Sequence, residues 1–290
     1  MFARFDFVTW DRTVLSAGVW QSLPHDSLRP VVLVHGMGEH LLRYREIAAA
    51  LAEWGYAVHS FDLRGHGQSP GRRGDAPGFH YHVLDVLAFI EHVSETHSAA
   101  NGRIAVAAHS MGGLIALEAA LAEPNRITSL FLISPYFRPA FQPQPWRLLA
   151  AKLLHGVWPS ISLNVGLRLD QFARDRAVQS AIRDDSVSHQ KMSARMALQL
   201  LERGERRLRS SEPLDVVCRI LHGDCDTINS AAASQEFANG QPNVELIRLS
   251  DGHHQLHNDS HTRPEVLRHW RELLSSPVPF VARKTNDATG

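Results

Sequence analysis

Ile104-Ala105-Val106-Ala107-Ala108-His109-Ser110-Met111-Gly112-Gly113 is the stretch on which the reading of the fold turns. An apolar run ends at a serine, and two glycines stand close behind it. The pattern predicts a doubly buried strand over 104–108 and a helix over 111–122, closed by Pro124. A sharp turn between them presents the Ser110 hydroxyl at the sheet edge. Such a turn leaves room only for small residues two places before and after the serine, here Ala108 and Gly112. Ala108 stands where glycine is usual, but it is still small. The setting makes Ser110 a candidate nucleophile; the plain alternative is a serine that only caps a helix.

The same alternation extends outward. Val31-Val32-Leu33-Val34 is an apolar run stopped by Gly36, and 41–54 has helical spacing. Strands are predicted at 56–61, 130–133, 216–221 and 244–249, and helices near 80–97, 231–239 and 262–274. Strand and helix in turn with short loops predict an α/β fold built on a mostly parallel, doubly wound sheet. Functional loops in such sheets lie beyond the carboxyl ends of the strands. Residues 2–8 and 13–20 alternate apolar and polar and predict an antiparallel pair, not a signal peptide.

Residues 135–213 break the rhythm. Five prolines from Pro135 to Pro159 open the segment, which then reads as helices without a strand. Within 138–212 thirteen Lys/Arg face seven Asp/Glu. We expect a helical cap at 135–213 inserted into a core of 1–134 and 214–276. Residues 277–290 read as a flexible tail.

The 290 residues carry 30 basic and 30 acidic side chains, a balance that gives no reason to expect nucleic acid as a partner. Two cysteines, Cys218 and Cys225, are too few for a disulfide framework and suit a reducing, cytoplasmic compartment. No run is long enough to span a membrane.

A serine nucleophile in this setting takes its acid and then its base later in the chain. His222-Gly223-Asp224-Cys225-Asp226 comes after a late strand and offers two carboxylates. Asp226 is preferred, because the loop needs a few residues to swing back; Asp224 is the alternative, with a turn-forming role of its own. After the last strand, His253, His254 and His257 are available, and His254 is the expected base. These histidines with nearby acids also form the one alternative metal reading, which leaves Ser110 unexplained. No cofactor or metal is expected. The oxyanion donors are expected to be the backbone N–H groups of Met111, at the helix start, and Met37, in the glycine-rich loop 35–38. The exit at Asp62-Leu63-Arg64-Gly65-His66-Gly67 reads as a hydrogen-bonded turn. Most of the 18 histidines read as solvated.

Taken together, His35-Gly36-Met37-Gly38-Glu39-His40 with Arg43-Tyr44, Asp62 to Ser69, His109 to Gly113, His222 to Asp226 and His254-Gln255-Leu256-His257 make the sequence similar to one known group. It resembles the monoacylglycerol lipase/lysophospholipase-like group of the α/β-hydrolase superfamily over about 30–275. The resemblance implies the α/β-hydrolase fold and a Ser110–Asp226–His254 triad. It also implies an oxyanion hole at Met37 and Met111, and a monoacylglycerol or other single-chain lipid ester as substrate. Asp184-Asp185-Ser186 departs from the Asp-Pro often found there, which bears on substrate preference. Phe137, Trp146 and Trp158 are the expected substrate-binding residues of the cap, whose apolar surface suits an acyl chain or a peripheral contact with a lipid interface. Rival readings are an aminopeptidase or amidase on the same triad, an acyltransferase, and a non-catalytic ligand-binding relative. An aspartate nucleophile is excluded by Ser110 itself.

Overall fold

In the computed structural model, residues 1–22, 29–97, 102–142 and 144–275 are described. The chain begins with β1 (Phe2–Val8), β2 (Val14–Trp20) and β3 (Arg29–Val34). Next come α1 (Arg45–Glu53), β4 (Tyr56–Phe61), α2 (Phe79–Thr96), β5 (Ile104–His109), α3 (Met111–Ala122) and β6 (Ile127–Ile133). A long excursion then holds α4 (Pro145–Val157), β7 (Ser162–Asn164), α5 (Leu169–Phe172), α6 (Arg176–Arg183), β8 (Lys191–Ser193) and α7 (Ala194–Arg209). The chain returns with β9 (Val217–Gly223), α8 (Ala231–Asn239), β10 (Val244–Leu249) and α9 (Arg263–Ser275).

Eight strands form one sheet in the order β1-β2-β4-β3-β5-β6-β9-β10. The β1–β2 and β2–β4 pairs are antiparallel, and every pair from β4 to β10 is parallel. From β3 the chain steps outward to β4, then returns to place β5 on the other side of β3. The two connections therefore leave in opposite directions at the carboxyl ends of β3 and β5. That divergence opens a crevice, the usual site of ligands in open α/β sheets.

The central strands are buried along their length, as continuous apolar runs require. One face of the sheet packs under α2, α3 and α8, around Phe61, Phe79, Phe89, Leu114 and Leu132. The other packs under α1 and α9, around Leu33, Ile47, Phe131 and Trp270. Helix α3 is apolar but for Glu118 and is buried nearly throughout, so the element that starts beside Ser110 is firmly packed.

Three expectations need correction. The segment 135–213 is not wholly helical: β7 and β8 pair antiparallel, Ser162 with Ser193 to Asn164 with Lys191. Three residues per strand leave too little alternation to read. Residues 41–44 form a 3-10 turn ahead of α1. Most histidines are buried, among them His35, His59, His66, His82, His97, His109 and His222. Single histidines within apolar runs carry no periodicity that marks them as internal. The predicted tail at 277–290 lies outside the described residues.

Several basic residues of 135–213 pair with carboxylates outside the segment. Arg203, Arg206 and Arg207 converge on Glu118 of α3, and Arg138 bridges to Glu205 and Glu236. Part of the segment's positive charge thus anchors it to the sheet domain.

Candidate active site

Ser110 sits between β5 and α3 with φ 54° and ψ −121°, a left-handed conformation for a residue with a side chain. Such strain costs on the order of 1–3 kcal/mol and persists only where the surroundings fix it. Here Ser110 N–H donates to Ile133 O (3.0 Å), while its own carbonyl accepts from Gly113 N (2.9 Å) and Tyr136 N (3.0 Å). A Cβ on Gly112 would lie 2.4 Å from His35 O, so the helix start and the exit of β3 are in backbone contact. The small residue read from the motif is needed for that approach.

The three residues expected to act together are brought together. Ser110 Oγ lies 3.0 Å from His254 Nε2, and His254 Nδ1 lies 2.8 Å from Asp226 Oδ2. Asp226 Oδ1 accepts from the N–H groups of Ile228 (2.8 Å) and Asn229 (2.9 Å). Asp224 is elsewhere, paired with Arg248 at 2.5 Å. Burial opposes ionisation of Asp226, but the adjacent charge of His254 and hydrogen bonds from His222 and His254 hold its carboxyl well below the usual carboxylate range. Burial pushes His254 below the ordinary imidazole value, and Asp226 offsets this only in part. The result is an ionised acid beside an imidazole that is neutral at neutral pH and able to accept a proton.

Met111 N–H opens α3, and Met37 N–H lies in the loop after β3. Neither has a hydrogen-bond acceptor among the described residues, and both residues line the same cavity as Ser110 and His254. Helix-start N–H groups lack intrahelical partners. The cavity has a volume of about 680 Å³, and its walls include Phe141, Trp146, Leu163, Leu167, Phe172 and Leu200. Of the three cap residues expected at the substrate, Trp146 lines it. Phe137 does not: it is buried and stacked on Phe237 at 4.6 Å. Trp158 is exposed and away from the cavity wall. Apolar character marks all three in the sequence, but not which way each one faces.

The site holds groups that sequence reasoning missed. His222 Nε2 lies 3.2 Å from Asp226 Oδ2 and 3.2 Å from Asn229 O, and its Nδ1 meets Ser234 Oγ at 2.8 Å. Asn229 Nδ2 donates to Ser134 O at 2.8 Å and reaches Ser110 Oγ at 3.4 Å. Below His254, buried Glu39 accepts from Gly36 N (2.8 Å), Tyr44 Oη (2.5 Å) and Gln255 Nε2, and faces His109 Nδ1 at 3.0 Å. His109 Nε2 in turn meets the backbone carbonyl of His254 at 3.2 Å. Burial favours the neutral Glu39 carboxyl, yet His109 and these donors hold it well below the usual range. His222, Glu39 and His109 belong to the quoted motifs, so only their roles were hidden; nothing in the sequence marks Asn229.

The histidine-rich stretch does not gather as a metal cluster. His253 turns to Asp251 O (3.2 Å), His254 joins Ser110, and His257 stacks on Tyr44 at 4.4 Å. Glu39, His109 and His257 place ligand-type atoms within 4.8 Å of one another, but Glu39 is already engaged by several donors.

Helix α5 backs the base loop. His254 N–H donates to Gln171 O (3.4 Å), and Gln255 N–H donates to Phe172 O (2.7 Å).

Fold, elbow and cavity define an α/β-hydrolase. The Hydrolase_4 family, described as serine aminopeptidase, S33, matches residues 26–261, and the chain belongs to that family. An uncharacterized abhydrolase domain-containing protein of Dictyostelium discoideum is 29% identical over 258 residues, 88% of this chain. The chain spans only 27% of that much longer relative. Monoglyceride lipase of Rattus norvegicus is 29% identical over 268 residues, covering 89% of this chain and 84% of the relative. Among solved structures, a soluble variant of monoglyceride lipase from Saccharomyces cerevisiae in complex with a substrate analog superposes with TM-score 0.82 at 23% identity. That match covers 95% of this chain and 94% of the other. By class the chain is a carboxylic-ester hydrolase. Among the described residues, no helix is long and apolar enough to cross a membrane.

Proposed function

We propose that the chain hydrolyses monoacylglycerols or similar single-chain lipid esters through a Ser110–His254–Asp226 triad. One observation carries the reading: the unbroken hydrogen-bond chain from Ser110 Oγ through His254 to Asp226, at the wall of a cavity whose other walls are largely apolar. Ser110 Oγ attacks the ester carbonyl as His254 Nε2 takes its proton. The carbonyl oxygen gains the electron pair and is held by the N–H groups of Met37 and Met111. Collapse breaks the bond to the alcohol, which leaves with the proton from His254. Water then repeats the sequence on the acyl-enzyme and releases the fatty acid. Asp226 keeps the imidazole in the tautomer that presents Nε2 to Ser110.

In this reading 135–213 is the cap, and the acyl chain runs between α4 and α7, beside Ala151 and Ala197. Leu149, Leu153 and Val157, exposed along α4, meet the lipid interface from which the substrate is drawn. The family's description raises the aminopeptidase reading. Against it, Glu39 is the one carboxylate lining the cavity among the described residues, and it is already engaged with Gly36, Tyr44, His109 and Gln255.

The test is a chain-length series of 1-monoacylglycerols run against aminoacyl anilides, with Ser110→Ala as control. Turnover of the monoacylglycerols, abolished by Ser110→Ala, is the expected result. Preferential cleavage of the anilides, or ester hydrolysis that survives the substitution, overturns it.

A further inference from the structure

Asn229 is nearly fully buried, at 1% exposure, and lines the cavity beside Ser110 and His254. Ser134 O, a carbonyl, can only accept, so the atom 2.8 Å from it must be Asn229 Nδ2; this fixes the amide's orientation. The amide nitrogen carries two hydrogens. One is taken by Ser134 O, and Ser110 Oγ lies 3.4 Å from the same nitrogen. The backbone of Asn229 is also pinned. Its N–H donates to Asp226 Oδ1, and its carbonyl accepts from His222 Nε2. The neighbouring residues are tied across a short antiparallel bridge, Ala140 N–H to Ile228 O and Ser230 N–H to Arg138 O, both 2.9 Å.

We infer that Asn229 is a further catalytic residue, a fixed hydrogen-bond donor to the nucleophile oxygen itself; the inference rests on the proposed Ser110–His254–Asp226 triad. In the resting enzyme Ser110 Oγ gives its hydrogen to His254 and keeps lone pairs free. During attack the proton passes to Nε2 while the C–Oγ bond is still forming, so Oγ carries negative charge that neither ground state has. The same charge returns in deacylation. Water adds to the acyl carbon, the C–Oγ bond breaks with its electron pair returning to Oγ, and His254 hands the proton back. A donor held at 3.4 Å is weak against a neutral hydroxyl and tightens as charge builds, which is a transition-state-selective contribution. It is separate from the oxyanion hole, which serves the carbonyl oxygen.

The test compares wild type with Asn229→Ala and Asn229→Ser, each checked for an unchanged thermal midpoint. Two rates are read: inactivation by a small fluorophosphonate, which reports attack by Oγ without the deacylation half of the cycle, and steady-state hydrolysis of p-nitrophenyl butyrate. Both should fall by about 10- to 100-fold together, with KM changed less than about threefold. Unchanged fluorophosphonate reactivity with a raised KM would make Asn229 a wall of the pocket and overturn the inference. If Asn229→Ala does not fold, the same readings on Asn229→Ser decide. A wild-type chain that the fluorophosphonate does not label at Ser110 overturns the triad assignment instead, so the two failures are distinguishable.

Discussion

Asp226 Oδ2 meets His254 Nδ1 at 2.8 Å, whereas the carboxylate two residues earlier in the same loop is turned away to Arg248. The two acids are near neighbours in sequence and face different partners. Asp226→Asn should lower kcat for a p-nitrophenyl ester by about 10⁴-fold, because an amide can hold the imidazole in the wrong tautomer. Asp224→Asn loses one exposed ion pair and should stay within about twofold of wild type. Losses of similar size in parallel kinetics would remove the assignment of Asp226.

With His254 as the proposed base, the pH profile should follow its ionisation. Its folded-state pKa lies below the ordinary imidazole value, burial being the main cause. The base must be neutral to accept a proton, so activity is present above that pKa and falls as pH drops through it. The acidic limb of kcat/KM should therefore have its midpoint below about 6.5 with a one-proton slope. A midpoint above about 7 would contradict the burial argument.

Buried neutral histidines should make the fold sensitive to acid. Burial lowers His82 to about 3 and His189 to about 4. Neither ring nitrogen of His82 has a hydrogen-bond partner among the described residues. A folded pKa below the unfolded one gives stability that is present above about 6.5 and lost as pH falls toward the folded value. For His82 alone the loss at about pH 4.5 is about 2–3 kcal/mol. Urea unfolding at about pH 7 and about pH 4.5 should show His82→Leu losing less stability between the two than wild type. An equal loss would show that His82 does not titrate with unfolding.

Helix α4 carries Leu149, Leu153 and Val157 at helical spacing, all exposed and none of them lining the cavity, with Val157 at 89%. Leu153→Glu should cut binding to anionic phospholipid vesicles and hydrolysis of dispersed long-chain monoacylglycerol by about tenfold. Hydrolysis of soluble p-nitrophenyl acetate should not change. A parallel fall in both activities would mean that the stripe serves the fold rather than an interface.

The sheet and the nucleophile's surroundings were legible because their signals are local. Continuous apolar runs marked β3, β5 and β6, and small residues flanked Ser110. The order of acid after serine and base after acid narrowed the choice to Asp224 or Asp226 and to three histidines, and the reach of the loop favoured Asp226. Roles created by packing between distant segments were not legible. The approach of His109 to the His254 carbonyl joins residues 145 apart in sequence, and that of Asn229 to Ser110 joins residues 119 apart. Phe137 and Trp146 read alike as apolar residues of one segment, yet one fills the core and the other lines the cavity. The β7–β8 pair escaped because its strands are short and 26 residues separate Asn164 from Lys191.

Helix α5 belongs to the same excursion that roofs the cavity, and its two carbonyls hold the backbone of residues 254 and 255. The segment that walls the cavity is thus also a bearing for the loop that carries the proposed base. Transplanting that excursion to change the accepted chain length would exchange part of the engine along with the inlet. Substrate range and turnover rate would then be inherited as one trait, unless the Gln171–Phe172 backbone were carried across unchanged.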